Sequence, residues 1–289
     1  MKTYMDCIPC FISQSLNAVR LTTADETIHE EVVRAILAEV SEMDLSRPPP
    51  LMGQYIHRII RTFTGESDPY RKVKDRFNRF ALDLLPDLRK KVMEASDPLD
   101  TACRIAIAGN IIDYGVNTRL NKETVLNTID HAMTVPVFGD MDAFKREAAS
   151  AEHILYLGDN TGEIVFDQLL IEQLSPERVT YAVRGGPVIN DATMQDAEDT
   201  GMTGIVKVID NGVDAPGTVL SMCSDEFLKH YRNADLVISK GQGNYETLSD
   251  EDKTIVFLFK AKCRIAARDA GCKLGDIVVL VKQGVNYGV

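Results

Sequence analysis

The stretch HILYLGDNTGEIVFD, His153 to Asp167, begins with an unbroken apolar and aromatic run from Ile154 to Leu157. It turns polar at Gly158-Asp159-Asn160-Thr161-Gly162-Glu163, and an apolar segment then resumes. Such a run, ended by glycine and followed by helical periodicity, predicts a buried strand leading into a helix. Asp, Asn and Gly are also the usual residues of a surface turn. The loops that follow the other strands have to separate a turn from a site.

Five further β-rich runs lie downstream: RVTYAVRG, VKVID, DLVISKG, TIVFLFKA and DIVVLVKQ. Helical segments such as GEIVFDQLLIEQL and CRIAARDAG alternate with them. This alternation predicts βαβ units and a mostly parallel sheet covered on both faces. Upstream the period changes. Ile28, Val32, Val33, Ile36, Leu37 and Val40 form one helical stripe. The prolines of SRPPPLMG interrupt it, and two later segments open on Asp-Pro, a cap followed by proline at the first helical position. The expected architecture is α/β. A Rossmann-like three-layer α/β/α domain of about six strands would occupy 151–289, and an all-α helical domain, 1–150, would cap the site.

Composition narrows the function. The chain has 289 residues, 45% hydrophobic and 26% charged, as expected of an ordinary globular protein. No apolar run reaches membrane-spanning length, and the N-terminal MKTYMDCIPCFISQ lacks a signal-peptide core, so a cytoplasmic location and no membrane partner are expected. A net charge of -11 argues against nucleic acid, which needs a basic footprint. It leaves room for a small anion held by a metal, backbone amides and a few lysines. The six cysteines are too scattered for a disulfide framework, and only Cys7-Ile8-Pro9-Cys10 has a suggestive spacing. That pair can be half of a second metal or redox site, or simply two small apolar residues near a helix start.

In open α/β sheets ligands bind beyond the carboxyl ends of the strands, where strand order reverses. Asp159, Asn160 and Glu163 follow the first of these strands, and Arg184, Asn190 and Asp191 follow the second. Asp210 and Asn211 follow the third, Lys240, Gly241, Gln242 and Asn244 the fourth, and Lys260 and Lys262 the fifth. A single Asp or Asn in such a loop is usually a helix cap, the default for Asp191. Several loops carrying carboxylates, amides, lysines and glycines together instead suit a hard divalent ion beside a phosphate cradle. That combination points to phosphoryl transfer or phosphate-ester hydrolysis. The chain contains no GxxxxGK[ST], no GxGxxG after the first of these strands and no GxSxG.

The segments GDNTGEIVFD, RGGPVINDAT, DNGVDAPGT and ADLVISKGQGNYETL together resemble the metal-dependent damage-control phosphatases, long known as domain of unknown function 89 and including the acidic-residue-methyltransferase-1-like proteins. CIPC, DPYRKVKDRFN, AIAGNIIDYG and FKAKCRIAA resemble its prokaryotic branch, so the likeness runs from about residue 5 to residue 282. The resemblance implies hydrolysis of small phosphorylated metabolites, with manganese, cobalt, nickel or magnesium as cofactor. It implies Asp159, Asn160 and Asp191 as metal ligands, and catalytic roles for Asp159, Asp191 and Lys262, with Lys262 facing the phosphate. Lys240, Gly241, Gln242 and Asn244 would line the substrate pocket, and Asn110 and Asp113 would face it from the helical domain. On the residues alone, Arg184 and Glu163 join the substrate side, Glu163 either orienting water or completing a cap with Asn160. The alternatives are an S-adenosylmethionine-dependent carboxyl methyltransferase and a non-catalytic metal-dependent binder of phosphorylated metabolites. Nothing in the sequence specifies an oligomeric state.

Overall fold

The computed structural model describes residues 1–109 and 122–284. Helices α1 (Cys7–Thr22), α2 (Glu26–Glu42) and α3 (Pro49–Thr64) enclose a small core of Phe11, Val19, Val32, Ile36, Ile56 and Ile60. Helix α2 stops at Glu42, and the proline run beyond it starts α3: Pro48 is the extended N-cap, and Pro49 takes the first helical position, where no N–H is needed. Helices α4 (Arg71–Met93) and α5 (Pro98–Ala108) belong to a different core, packing on the sheet domain through Phe77, Leu84, Leu88 and Ile105. Helices α6 (Lys122–Thr134) and α7 (Met141–Ser150) lead into the sheet.

The strands are β1 (Val137–Gly139), β2 (Ile154–Leu157), β3 (Val179–Val183), β4 (Lys207–Asp210), β5 (Leu236–Lys240), β6 (Ile255–Lys260) and β7 (Ile277–Lys282). They form one sheet in the order β1-β7-β6-β5-β2-β3-β4, parallel throughout except for the antiparallel pair β6–β7. The six runs read from the sequence are β2 to β7. The seventh strand, β1, lies within the stretch expected to be all helical. It is only three residues long and half exposed, too short to show a period of two, and it owes its state to pairing with β7.

Chain order runs outward from β2 in both directions, to β3 and β4 on one side and to β5, β6 and β7 on the other. The reversal between β2 and β5 is the topological switch point, and both strands deliver their carboxyl ends there. Helix α8 (Glu163–Gln173) follows β2 and is buried at every residue from Glu163 to Ile171, between the sheet and helices α4 and α5. Helix α9 (Met194–Asp199) follows β3. The other face is covered by α10 (Asp225–Asn233), α11 (Gln242–Leu248) and α12 (Arg264–Ala270), through Phe227, Tyr231, Leu248 and Ile265. No described helix is long and apolar enough to cross a membrane.

Helix α3 is tied to the loop after β4 by a cluster of charges. Asp214 accepts from Gln54 at 2.7 Å, from Arg58 at 2.6 Å and from Arg61 at 2.6 Å. Arg61 also donates to the carbonyl of Pro187 at 2.6 Å, which adds the loop after β3 to the same clamp. Partial burial pushes the Asp214 carboxyl up, but the hydrogen bonds from Arg58, Gln54 and Arg61 outweigh it and hold the group at about 2. A depressed carboxylate stabilises the fold above its unfolded pKa of about 3.9 and loses that contribution as it protonates. The difference in unfolding free energy between wild type and Asp214→Asn is therefore expected to be constant near neutrality. It closes as pH falls through about 2, read by denaturant titrations across acid pH.

Candidate active site

Two loops at the switch point are joined by their backbones. Asn160 and Asp191 form an isolated antiparallel bridge, Thr161 N–H donates to the Asn190 carbonyl at 2.8 Å, and Ala192 N–H donates to the Asp159 carbonyl at 2.8 Å. This pairing sets Asp159, Asn160 and Asp191 beside one another, all nearly buried. Asp191 is not a helix cap. The cap of α9 is a box made by Thr193 and Asp196, which leaves the Asp191 carboxylate to the site.

Behind the paired loops lies a fully buried charge network. Lys240 Nζ donates to Glu163 Oε1 at 2.6 Å, to Asp167 Oδ1 at 2.5 Å and to the Ala106 carbonyl at 2.9 Å. Asp167 accepts from the hydroxyls of Tyr156 and Tyr181, each at 2.8 Å, and the two rings stack with centroids 5.3 Å apart. Burial alone would lower the Lys240 ammonium, but Asp167 and Glu163 overcome it and raise its pKa. Glu163 is raised by its burial against the opposing pull of Lys240. Lys240 thus differs from its expected place in the substrate pocket. Its three N–H bonds go to protein acceptors, because the carboxylates of α8 sit directly beneath the end of β5.

Asn160 links the network to the loops. Its Nδ2 donates to Asp159 Oδ2 at 2.8 Å and to Glu163 Oε2 at 3.2 Å, which turns the amide so that Oδ1 lies on the opposite side. Arg184, only 2% exposed, reaches the same group from β3. Its Nε donates to Asp191 Oδ2 at 2.6 Å, one terminal nitrogen approaches Asp159 Oδ1 at 3.4 Å, and the other donates to Asn244 Oδ1 at 3.0 Å. Burial, then the neighbouring Asp191 and Glu163, raise Asp159 well above the carboxylate range. Burial raises Asp191 as well, opposed by Arg184.

Among the described residues this network holds four carboxylates, Asp159, Glu163, Asp167 and Asp191, against two cations, Lys240 and Arg184. Carboxylates gathered in a buried site are costly unless cations or protons neutralise them. Two carboxylates and an amide oxygen suit a hard ion such as magnesium or manganese. Among the described residues, one buried oxygen of the same loop, Thr161 Oγ1, has no hydrogen-bond partner. The site therefore fits an oxygen-ligated metal. No group of three His, Cys, Asp or Glu side chains among the described residues is arranged to hold one, so the amide of Asn160 is needed to complete a set.

Glycine is required at two points. Gly162, at φ +76°, precedes α8, and its N–H donates to Asn78 Oδ1 of α4 at 2.8 Å, so this amide serves the fold and is not offered to an anion. Gly241, at φ +82°, follows β5, and a Cβ there would lie 2.0 Å from Asp159 Oδ2.

The remaining expected residues are spread around this centre. Gln242, half-buried, accepts from Lys262 N–H at 2.9 Å and donates to Glu246 at 2.7 Å. Lys262 is exposed, yet surrounding protein lowers its pKa to about 8 by desolvation. Asn110 and Asp113 lie outside the described residues. Cys7 and Cys10 sit in the first turn of α1 with their thiols raised mainly by burial. Cys263 and Glu246 are close enough to add to that shift.

Sequence reasoning missed Asp167, Asn78 and Thr218. Glu163 and Asp167 are carboxylates four apart on an otherwise apolar helix, a spacing that places both on one buried face and was visible in EIVFDQLLIEQ. Asn78 and Thr218 carry no such signal.

The model of the damage-control phosphatase ARMT1-like domain matches residues 3–278. A damage-control phosphatase of Archaeoglobus fulgidus is 36% identical over 98% of this chain and 100% of its own length. One of Pyrococcus horikoshii is 32% identical over 97% of this chain and 98% of its own. The crystal structure of a DUF89 family protein from Pyrococcus horikoshii superposes with a TM-score of 0.90 at 30% identity, covering 98% of this chain and 100% of that one.

Proposed function

From the premise that this chain belongs to the damage-control phosphatase ARMT1-like family, we propose that it is a divalent-metal-dependent phosphatase of small phosphorylated metabolites. The observation that carries the reading is the convergence of two buried carboxylates and an amide, Asp159, Asp191 and Asn160, brought together at the switch point by the pairing of their two loops. An ion held there, with manganese, cobalt, nickel and magnesium as candidates, supplies Lewis acidity to a phosphoryl oxygen and lowers the cost of bringing a phosphate dianion to an acidic protein. The chain's own groups do the rest. Asp159 and Asp191 provide the anionic oxygens, and the Asn160 amide is held in one orientation by Asp159 and Glu163. Lys240 fixes Glu163 from below and so acts as a positioning residue.

Lys262, with a pKa of about 8, carries a largely charged ammonium at neutral pH, the charge that departing phosphate oxygens would call for. Hydrolysis breaks the ester P–O bond and passes the phosphoryl group to water. The carboxyl methyltransferase reading is disfavoured by the loop after β2, which presents a carboxylate and an amide, Asp159 and Asn160, in place of a glycine-rich cofactor loop.

A screen for orthophosphate release from phosphorylated metabolites, repeated with each divalent metal, tests the proposal. Turnover of at least one substrate class, lost on chelation and restored by metal, is expected. Ligand binding without turnover under every metal would instead support a binding protein.

A further inference from the structure

We propose that Arg184 is a resident cation of the metal pocket, one that weakens divalent-ion binding and strengthens phosphate binding once the ion is in place. The inference rests on the metal-dependent reading above and goes beyond it, because it assigns one residue opposite effects on two ligands.

The geometry is specific. The guanidinium bridges the carboxylates of Asp191 and Asp159, at 2.6 and 3.4 Å. Its far side is held by neutral groups: Asn244 Oδ1 at 3.0 Å and Thr218 Oγ1 at 3.4 Å. Those two are themselves joined, Thr218 Oγ1 donating to Asn244 Oδ1 at 2.8 Å. Asn244 is fixed in turn by donating to the Lys240 carbonyl at 2.8 Å and to the Gly158 carbonyl at 3.2 Å. Among the described residues, Arg184 is therefore paired with the acids Asp191 and Asp159 alone. Its position is set from the neutral side by the loop after β4 and by α11.

The electrostatic consequence follows from formal charges. Two carboxylates with Arg184 carry one net negative charge, and a divalent ion makes the set positive by one. Without Arg184 the same acids carry two negative charges and a divalent ion leaves the set neutral. The arginine thus repels the ion and attracts the phosphate that follows it, and in a buried site both effects are large. It also offsets one of the two negative charges of these adjacent buried acids before the metal arrives.

The experiment uses manganese(II) as the first probe and orthophosphate as the second, on the full chain, by calorimetric titration. Removing the charge in Arg184→Gln is expected to tighten manganese binding by about tenfold and to weaken orthophosphate binding to the manganese-loaded protein by about tenfold. Arg184→Lys keeps the charge, and both constants should return toward wild type. An Arg184→Gln protein that folds only with manganese present would support the proposal, since the ion then replaces the missing cation. Manganese and orthophosphate weakening together, neither constant changing, or a protein unfolded even in saturating manganese would each overturn it. A wild-type protein with no saturable manganese site would overturn the metal reading itself, and this inference with it.

Discussion

Asp159→Ala is expected to fold normally and to lose metal-dependent phosphate release by at least about a thousandfold. The two halves of that expectation have separate physical grounds. The Asp159 carboxylate is desolvated and lies near Asp191 and Glu163, so its ionised form is a burden on the fold. The contact that joins the β2 and β3 loops is made by the Asp159 backbone carbonyl, and it survives the substitution. Arg184 keeps its short bond to Asp191 at 2.6 Å and loses only the longer approach at 3.4 Å. For the metal, however, a charged oxygen is gone, leaving the Asn160 amide and one carboxylate. Thermal melting alongside turnover of p-nitrophenyl phosphate with manganese checks both halves. Near-normal turnover by the variant would remove Asp159 from the mechanism.

Lys240→Met should have the opposite profile, a large loss of stability. The ammonium is completely buried and spends its hydrogen bonds on Glu163, Asp167 and the Ala106 carbonyl. Methionine fills much of the same volume but leaves two buried carboxylates without their cation. Breaking a buried pair in this way typically costs about 3–5 kcal/mol. For a chain of this size that corresponds to a fall in melting temperature on the order of 10 °C. Asp167 retains two tyrosine hydroxyls and Glu163 retains Asn160, so the loss is not expected to unfold the protein outright. Adding Asp167→Asn to Lys240→Met removes one of the stranded charges and should recover part of the stability. A single variant that melts within about 2 °C of wild type would show that the network contributes less than one kcal/mol.

Much of this arrangement was legible in the sequence because it follows from strand ends. Apolar runs such as Ile154 to Leu157 and Ile255 to Phe259 are long enough to mark buried strands, and the residues after them identify one edge of the sheet. The three loops carrying Asp159, Asp191 and Lys240 do meet there. Side-chain direction was not legible. Lys240 reads as a pocket-lining cation after a strand, yet it turns inward because Glu163 and Asp167 of α8 lie beneath it. Asp191 reads as a cap, and only the Thr193–Asp196 box shows that capping is done elsewhere. Strand β1 carries no local pattern, since its state is imposed by β7 across some 140 residues of chain. Asn78 is similarly silent, because its value comes from meeting Gly162 N–H from another helix.

The central claim is that one divalent ion is held by Asp159, Asn160 and Asp191 at the switch point of the sheet. Anomalous diffraction from crystals grown with manganese tests it most directly. A single strong peak is expected at the junction of the β2 and β3 loops, bonded to oxygens of those three side chains and absent in Asp159→Ala. A peak located instead at Cys7, Cys10 and Glu246, or no ordered manganese at the switch point, would contradict it.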